Sequence, residues 1–266
     1  VKVQTTVDKR IFVVTINRPE LRNAVDGETA ALLRAAWLRF RDDPDLWVAV
    51  LTGSGDQAFS AGADLGAVET LGPGPEASPA ERRRFVEHGD GYLGYTRGID
   101  IDKPILAAVN GDALAGGLEL ACLADLRIVA EHARFGVACR RWNVPLVDGG
   151  TQRLPRIVGM GHAMDLILSG RFIDAAEAWR MGLANEVVAT GQALPRALEL
   201  AALLCTLPQG AMRTDKAAAQ AGWGRPLAEG LRIEAELGQY ALGGTDIAEG
   251  ARAFKEKRRP AFAQED

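Results

Sequence analysis

Lys103-Pro104-Ile105-Leu106-Ala107-Ala108-Val109-Asn110-Gly111-Asp112-Ala113-Leu114-Ala115-Gly116-Gly117-Leu118-Glu119 is an apolar run that breaks into a glycine turn and then into a helical pattern. The run from Ile105 to Val109 is too short for a helix and fits a strand buried on both faces. Asn110-Gly111 ends it, small residues follow, and the pattern from Gly116 to Ala124 reads as a helix. Backbone N–H groups in the first turn of a helix lack an intrahelical acceptor and lie at the positive end of its dipole. Glycine and alanine there let a ligand come close to the main chain. The turn is therefore a candidate site for a negatively charged atom.

Working outward, the same arrangement recurs upstream. Trp47 to Leu51 is a short buried strand, and Phe59-Ser60-Ala61-Gly62-Ala63-Asp64-Leu65 is a second small-residue turn. Two such turns, each supplying one N–H to one carbonyl oxygen, would stabilise an enolate; one donor of this kind is worth about 3 kcal/mol in the barrier. Either turn alone is more often just a tight bend.

The rest of the chain frames these turns. Val1 to Val7 and Ile11 to Ile16 predict a hairpin turning at Asp8-Lys9, and Asn17-Arg18-Pro19 breaks its second strand. Asp26 is placed to cap a helix from Gly27 to Phe40. Leu71 to Pro79 reads as a surface loop, Ala80 to Asp100 as a helix weakened by Gly89, Gly91 and Gly94, and Leu126 to Ala130 as a strand. Beyond Gly149 the patterns are helical, near 159–168, 174–181, 192–206, 208–221, 226–241 and 245–257. Strand-turn-helix units followed by helices give an α/β class.

Composition narrows the function. The 266 residues are 47% hydrophobic and 25% charged, with a net charge of -4, which offers no basic surface for nucleic acid. The longest apolar runs fall far short of the roughly 20 residues of a membrane span. Cys122, Cys139 and Cys205 are odd in number and scattered, and no secretory pattern opens the chain, so a reducing cytoplasm is expected. His88, His132 and His162 form no helical i, i+4 pair, and no metal site is expected.

Several segments, in order, resemble signatures of the crotonase (enoyl-CoA hydratase/isomerase) superfamily. They are Asn17-Arg18-Pro19-Glu20 with Asn23-Ala24, Ala58 to Leu65, Lys103 to Gly111, Gly116-Gly117-Leu118-Glu119-Leu120, Asp125-Leu126-Arg127-Ile128, Gly149 to Arg156, and Lys257 to Phe262. The resemblance implies a spiral of ββα units over residues 1–200, with a helical region at 201–266 that joins subunits into trimers, often paired as hexamers. It implies an acyl-CoA thioester as substrate, with no separate cofactor. The oxyanion donors would be the N–H groups of Ala63 and Gly116. Ala61, Asp64, Leu65 and Gly66 would line the pantetheine, Arg22 and Ala24 would lie near the nucleotide end, and Phe262 would reach a neighbouring subunit's adenine pocket.

Two glutamates flank the water in hydratases of this family. Glu119 fills the first position, as acid/base. Cys139 stands where the second would be, either packed as a small side chain or, beside Arg140, activated as a thiolate nucleophile. Asp148 either caps the helix starting near Gly149 or turns inward to make a carboxylate pair with Glu119. Arg140, Arg141 and Trp142 could bind an acyl carboxylate or lie on the surface, and Tyr92 and Tyr95 could line the acyl pocket or pack. The expected reaction is hydration of a 2-enoyl-CoA or its reverse. Isomerisation, hydrolytic or dehalogenase-like chemistry, and non-catalytic acyl-CoA binding remain alternatives.

Overall fold

The computed structural model describes residues 1–74, 76–244 and 246–262. Strands β1 (Val3–Asp8) and β2 (Ile11–Ile16) form the expected hairpin. Asp8 pairs with Ile11, so the turn is Lys9-Arg10, one residue later than the sequence suggests, with Lys9 at φ 54°.

The apolar runs become β3 (Val48–Gly53), β5 (Ile105–Val109) and β7 (Leu126–Ala130). With β10 (Glu186–Val188) they complete a six-stranded sheet in the order β1-β2-β3-β5-β7-β10. A four-stranded sheet of three-residue strands accompanies it: β4 (Ala58–Ser60), β6 (Asp112–Leu114), β8 (Arg134–Gly136) and β9 (Phe172–Asp174). The chain steps from one sheet to the other in each unit, β3 to β4, β5 to β6 and β7 to β8, before entering helical structure. Parallel pairing of successive units stacks these steps into a spiral, so the segments after β4 and β6 lie side by side. Strands this short carry no periodicity, and in the sequence β4 and β6 read as parts of the two turns.

Helix α1 (Gly27–Asp42) begins where Asp26 accepts the Thr29 N–H at 2.9 Å, the predicted cap. Leu33, Trp37 and Phe40 are wholly buried on its inner face, and Phe40 stacks on Phe12 of β2. Helix α2 (Pro79–His88) opens with a capping box between Ser78 and Glu81 and ends at His88, twelve residues before the helix expected from sequence would end. Residues 89–104 form a loop instead, because Gly91 and Gly94 adopt φ 89° and 92°, a region open mainly to glycine. This loop folds down on α1, where Tyr95 stacks on Trp37 at 4.8 Å between centroids.

Helices α3 (Gly116–Leu123), α4 (Gly150–Val158), α5 (Met160–Ser169) and α6 (Ala175–Arg180) follow. Helix α7 (Ala193–Cys205) covers the large sheet. Helices α8 (Gln209–Gly222) and α9 (Leu227–Leu242) pack chiefly on each other, and α10 (Asp246–Glu256) lies against α9. Among the described residues no helix is long and apolar enough to cross a membrane.

Candidate active site

The two glycine turns meet main chain to main chain. Gly62 sits at φ 83°, and a Cβ there would collide with the amide nitrogen of Gly116 and lie 2.8 Å from its Cα. A Cβ on Gly116 would lie 3.4 Å from the nitrogen of Ala63. On the first turn, Val25 N–H donates to Gly62 and Asp64 N–H donates to Val25, both at 2.8 Å, which leaves the Ala63 N–H between them. On the second, Ala115 is held at φ 53°, ψ −120°, with its N–H donated to Gly136 at 2.9 Å. An alanine at positive φ stores strain, and such strain is kept where the backbone must point a particular way. Here it aims the N–H of Gly116, the first residue of α3. Among the described residues neither the Ala63 nor the Gly116 amide has a hydrogen-bond acceptor.

A buried cation braces the first turn from below. Arg18 donates Nη1 to the Ala24 carbonyl at 2.7 Å and Nη2 to Asp64 Oδ2 at 2.9 Å, while Asp64 Oδ1 accepts the Gly66 N–H at 3.1 Å. Asn23 adds bonds to the carbonyls of Ala58 and Ser54. Of the residues expected near the coenzyme, Ala24 is buried with its carbonyl bonded to Arg18, and the Asp64 carboxylate is paired with the same guanidinium. Leu65 and Gly66 are exposed on the rim, as is Arg22, whose carbonyl accepts the Ala61 N–H at 2.9 Å. Phe262 lies back on α10 of its own chain, 3.9 Å from the Cβ position of Gly250.

Glu119 projects from the first turn of α3 and is only 3% exposed. Its Oε1 accepts two backbone N–H groups, from Asp148 at 2.9 Å and Gly150 at 2.8 Å. Burial pushes its carboxyl up to about 7, with the Asp148 charge adding to the shift and the Gly150 and Asp148 N–H donors opposing it. A group that titrates near neutrality can both take and return a proton. Cys139 is buried near this carboxylate; burial and the Glu119 charge raise its thiol, and Arg140's opposing pull does not reverse this. The environment is that of a packed thiol, not of an activated thiolate.

Asp148 does not cap α4. Gly149, at φ 104°, occupies the cap position, and the Asp148 side chain turns into the protein. Its Oδ1 accepts the Leu93 N–H at 3.2 Å and the Thr96 hydroxyl, and burial raises its pKa. Arg153 donates to the carbonyls of Asp148 and Thr96 at 2.9 and 2.8 Å. One residue therefore holds Glu119 with its peptide and the 89–104 loop with its side chain. Leu93 of that loop reaches the Gly116 turn, its Cδ1 2.9 Å from the Cβ position there. Tyr92 is half-buried, edge-on to Phe85 at 4.8 Å, whereas Tyr95 belongs to the core. Arg140, Arg141 and Trp142 are exposed, with Arg140 bonded to the Ile167 carbonyl and Arg141 over the Phe172 ring. No local pattern marks Arg18, Leu93, Thr96 or Arg153 as site-forming, because each reaches a partner 46 or more positions away.

Residues 6–265 match the sequence model of the enoyl-CoA hydratase/isomerase family. The chain belongs to that family. The crotonyl-CoA hydratase of Syntrophomonas wolfei is 37% identical over 255 residues, 96% of this chain and 95% of its own. The carnitinyl-CoA dehydratase of Salmonella typhi is 37% identical over 257 residues, 95% and 94% of the two chains. Among solved structures of the family, an enoyl-CoA hydratase from Bacillus anthracis superposes with a TM-score of 0.87 at 30% identity, covering 98% of this chain and 99% of that one. An enoyl-CoA hydratase from Mycobacterium tuberculosis H37Rv gives 0.85 at 33% identity, covering 98% of both. The crotonase-like spiral expected from the motifs is the fold of this enzyme family.

Proposed function

We propose that the chain hydrates a 2-enoyl-CoA thioester, or runs the reverse dehydration, with the thioester oxygen between the N–H groups of Ala63 and Gly116. The observation that carries this reading is the contact of the two turns at Gly62 and Gly116 beside a buried Glu119 that titrates near 7. Relatives that are named hydratases and a dehydratase support it. Water attacks Cβ while Glu119 takes its proton; the C=C electron pair shifts toward the thioester, and the enolate oxygen is met by the two amides. Glu119 then returns a proton to Cα. Coenzyme A is part of the substrate, and no further cofactor enters the scheme.

In this reading Asp148 is the companion carboxylate, its charge raising the affinity of Glu119 for the proton and its Oδ1 fixing the acyl wall. A second reading, double-bond isomerisation, is favoured by Cys139 standing where a hydratase would carry its other glutamate; there Glu119 alone moves one proton between carbons. The two are separated by following crotonyl-CoA: loss of the 2-enoyl absorbance with uptake of water supports hydration. An enzyme that leaves crotonyl-CoA untouched but conjugates a 3-enoyl-CoA is an isomerase.

Helix α9 and the turn before it carry Trp223, Leu227, Leu231 and Tyr240 in exposed positions, an unusual apolar load for a free surface. The proposal extends to a homotrimer, or a pair of trimers, joined through this region; sedimentation at micromolar concentration tests it, a monomer overturning it.

A further inference from the structure

We infer that Arg97 is a specificity-determining residue that binds a carboxylate at the far end of the acyl chain, so that the preferred substrates are thioesters of dicarboxylic acids. The inference rests on the thioester reading above and deepens it.

Arg97 lies in the 89–104 loop, one residue after Thr96, which bonds Asp148. Its Nε and Nη2 are both buried and have no hydrogen-bond partner among the described residues. These two nitrogens form one edge of the guanidinium, the side-on fork that matches the two oxygens of a carboxylate. Elsewhere this chain uses the same edge in that way. Arg134 donates Nε and Nη2 to the two oxygens of Asp112 at 3.0 and 2.6 Å, and Arg171 closes the same pair on the single Oδ2 of Asp165. Burying charged donors without acceptors is costly, and native structures rarely leave them so without a functional reason.

The 89–104 loop links the fork to the oxyanion turns: its Leu93 reaches the Gly116 turn, and Thr96, next to Arg97, bonds Asp148. The guanidinium sits 5.5 Å over the ring of Phe85, which packs on Tyr92. Its charge is close enough to Asp148 to favour that carboxylate, yet no ion pair joins them. Asp148 Oδ1 is already taken by Leu93 and Thr96, and Arg153 spends Nη1 and Nη2 on carbonyls. A second anion beside Asp148 and Glu119 would be repelled without a cation to meet it, and Arg97 supplies one. The loop covers the fork here, so the ligand reaches it by displacing the Phe85–Tyr92 side. Gly91, Gly94 and Gly98, all at positive φ, provide the hinges.

The test compares 2-hexenedioyl-CoA with 2-hexenoyl-CoA, which differ only in a terminal carboxylate against a terminal methyl. The wild type is expected to prefer the dicarboxylic substrate by about tenfold or more in kcat/KM, mostly through KM. Arg97→Met, which keeps the apolar stem, is expected to bring the ratio to about one, and Arg97→Lys, which keeps charge but not the fork, to an intermediate value. Binding of adipoyl-CoA and hexanoyl-CoA by calorimetry gives the same comparison without chemistry. If neither enoyl substrate turns over, the hydratase reading fails while the binding ratio still decides the role of Arg97. A preference for the methyl-ended ligand, equal affinities, no binding of either, or a preference that survives in Arg97→Met overturns the inference.

Discussion

Gly62 and Gly116, the inner glycines of two turns 54 positions apart, lie against each other with no room for a side-chain carbon on Gly62. Gly62→Ala must therefore push the turns apart and also adopt a left-handed φ of 83° with a side chain. The expected result is a fall in kcat on crotonyl-CoA of about a hundredfold or more, while a saturated acyl-CoA still binds. Retained turnover with a folded variant would show that the two amides need not act together.

Glu119→Gln is expected to lower kcat by about a hundredfold or more, because the amide keeps an acceptor for the Asp148 and Gly150 N–H groups but cannot carry a proton. Stability should move the other way. Burial raises the Glu119 carboxyl from 4.5 to about 7, so the folded state holds its proton more tightly than the unfolded chain. That contribution is complete below about pH 4.5 and is lost as pH rises through about 7, a change of about 3 kcal/mol. In urea titrations the Gln variant should gain on the wild type between pH 5 and pH 8; a pH-independent difference would contradict the assignment.

Replacing Asp148 by Asn keeps an oxygen for Leu93 and Thr96 but removes the charge that helps raise Glu119. The rise of kcat/KM with pH should shift to lower pH, since Glu119 then loses its proton more easily. An unmoved profile would mean that the Asp148 charge does not reach Glu119.

Cys139 should be dispensable as a nucleophile. With its thiol raised by burial and by Glu119, Cys139→Ser should retain turnover within about threefold, and iodoacetamide should inactivate the wild type slowly. Rapid inactivation that substrate prevents would restore the nucleophile reading.

Arg18→Met leaves the half-buried Asp64 without its cation. Orphaning one member of a buried pair costs about 3–5 kcal/mol, measurable as a lower urea midpoint, with weaker acyl-CoA binding as the first turn loosens. A midpoint within error of the wild type would remove Arg18 from the scaffold.

What could be read from the residues alone follows the range of the interactions. Ile105 to Val109 is apolar throughout because both faces are covered, and Asp26 caps the helix that follows it in the chain, so β5 and α1 are local facts. Ala58–Ser60 and Asp112–Leu114 pair across the spiral, and three residues leave no pattern to see. Arg18 and Asp64 are 46 positions apart, and no local rule joins them. Asp148 precedes a helix, so capping was as reasonable as an inward turn; Gly149 at φ 104° took the cap and left the carboxylate to the loop. The sequence pattern predicts one helix over 80–100, and such a helix would present different side chains from the glycine-hinged loop that carries Tyr92, Tyr95 and Arg97.

The peptide of Asp148 and its side chain serve two masters, and this ties what the enzyme accepts to the acidity at which it works. An acyl tail that presses on Leu93 or Thr96 pulls on the same residue whose N–H steadies Glu119. Each thioester should then report its own pH optimum, and breeding the 89–104 loop for new substrates should retune the optimum along with the menu.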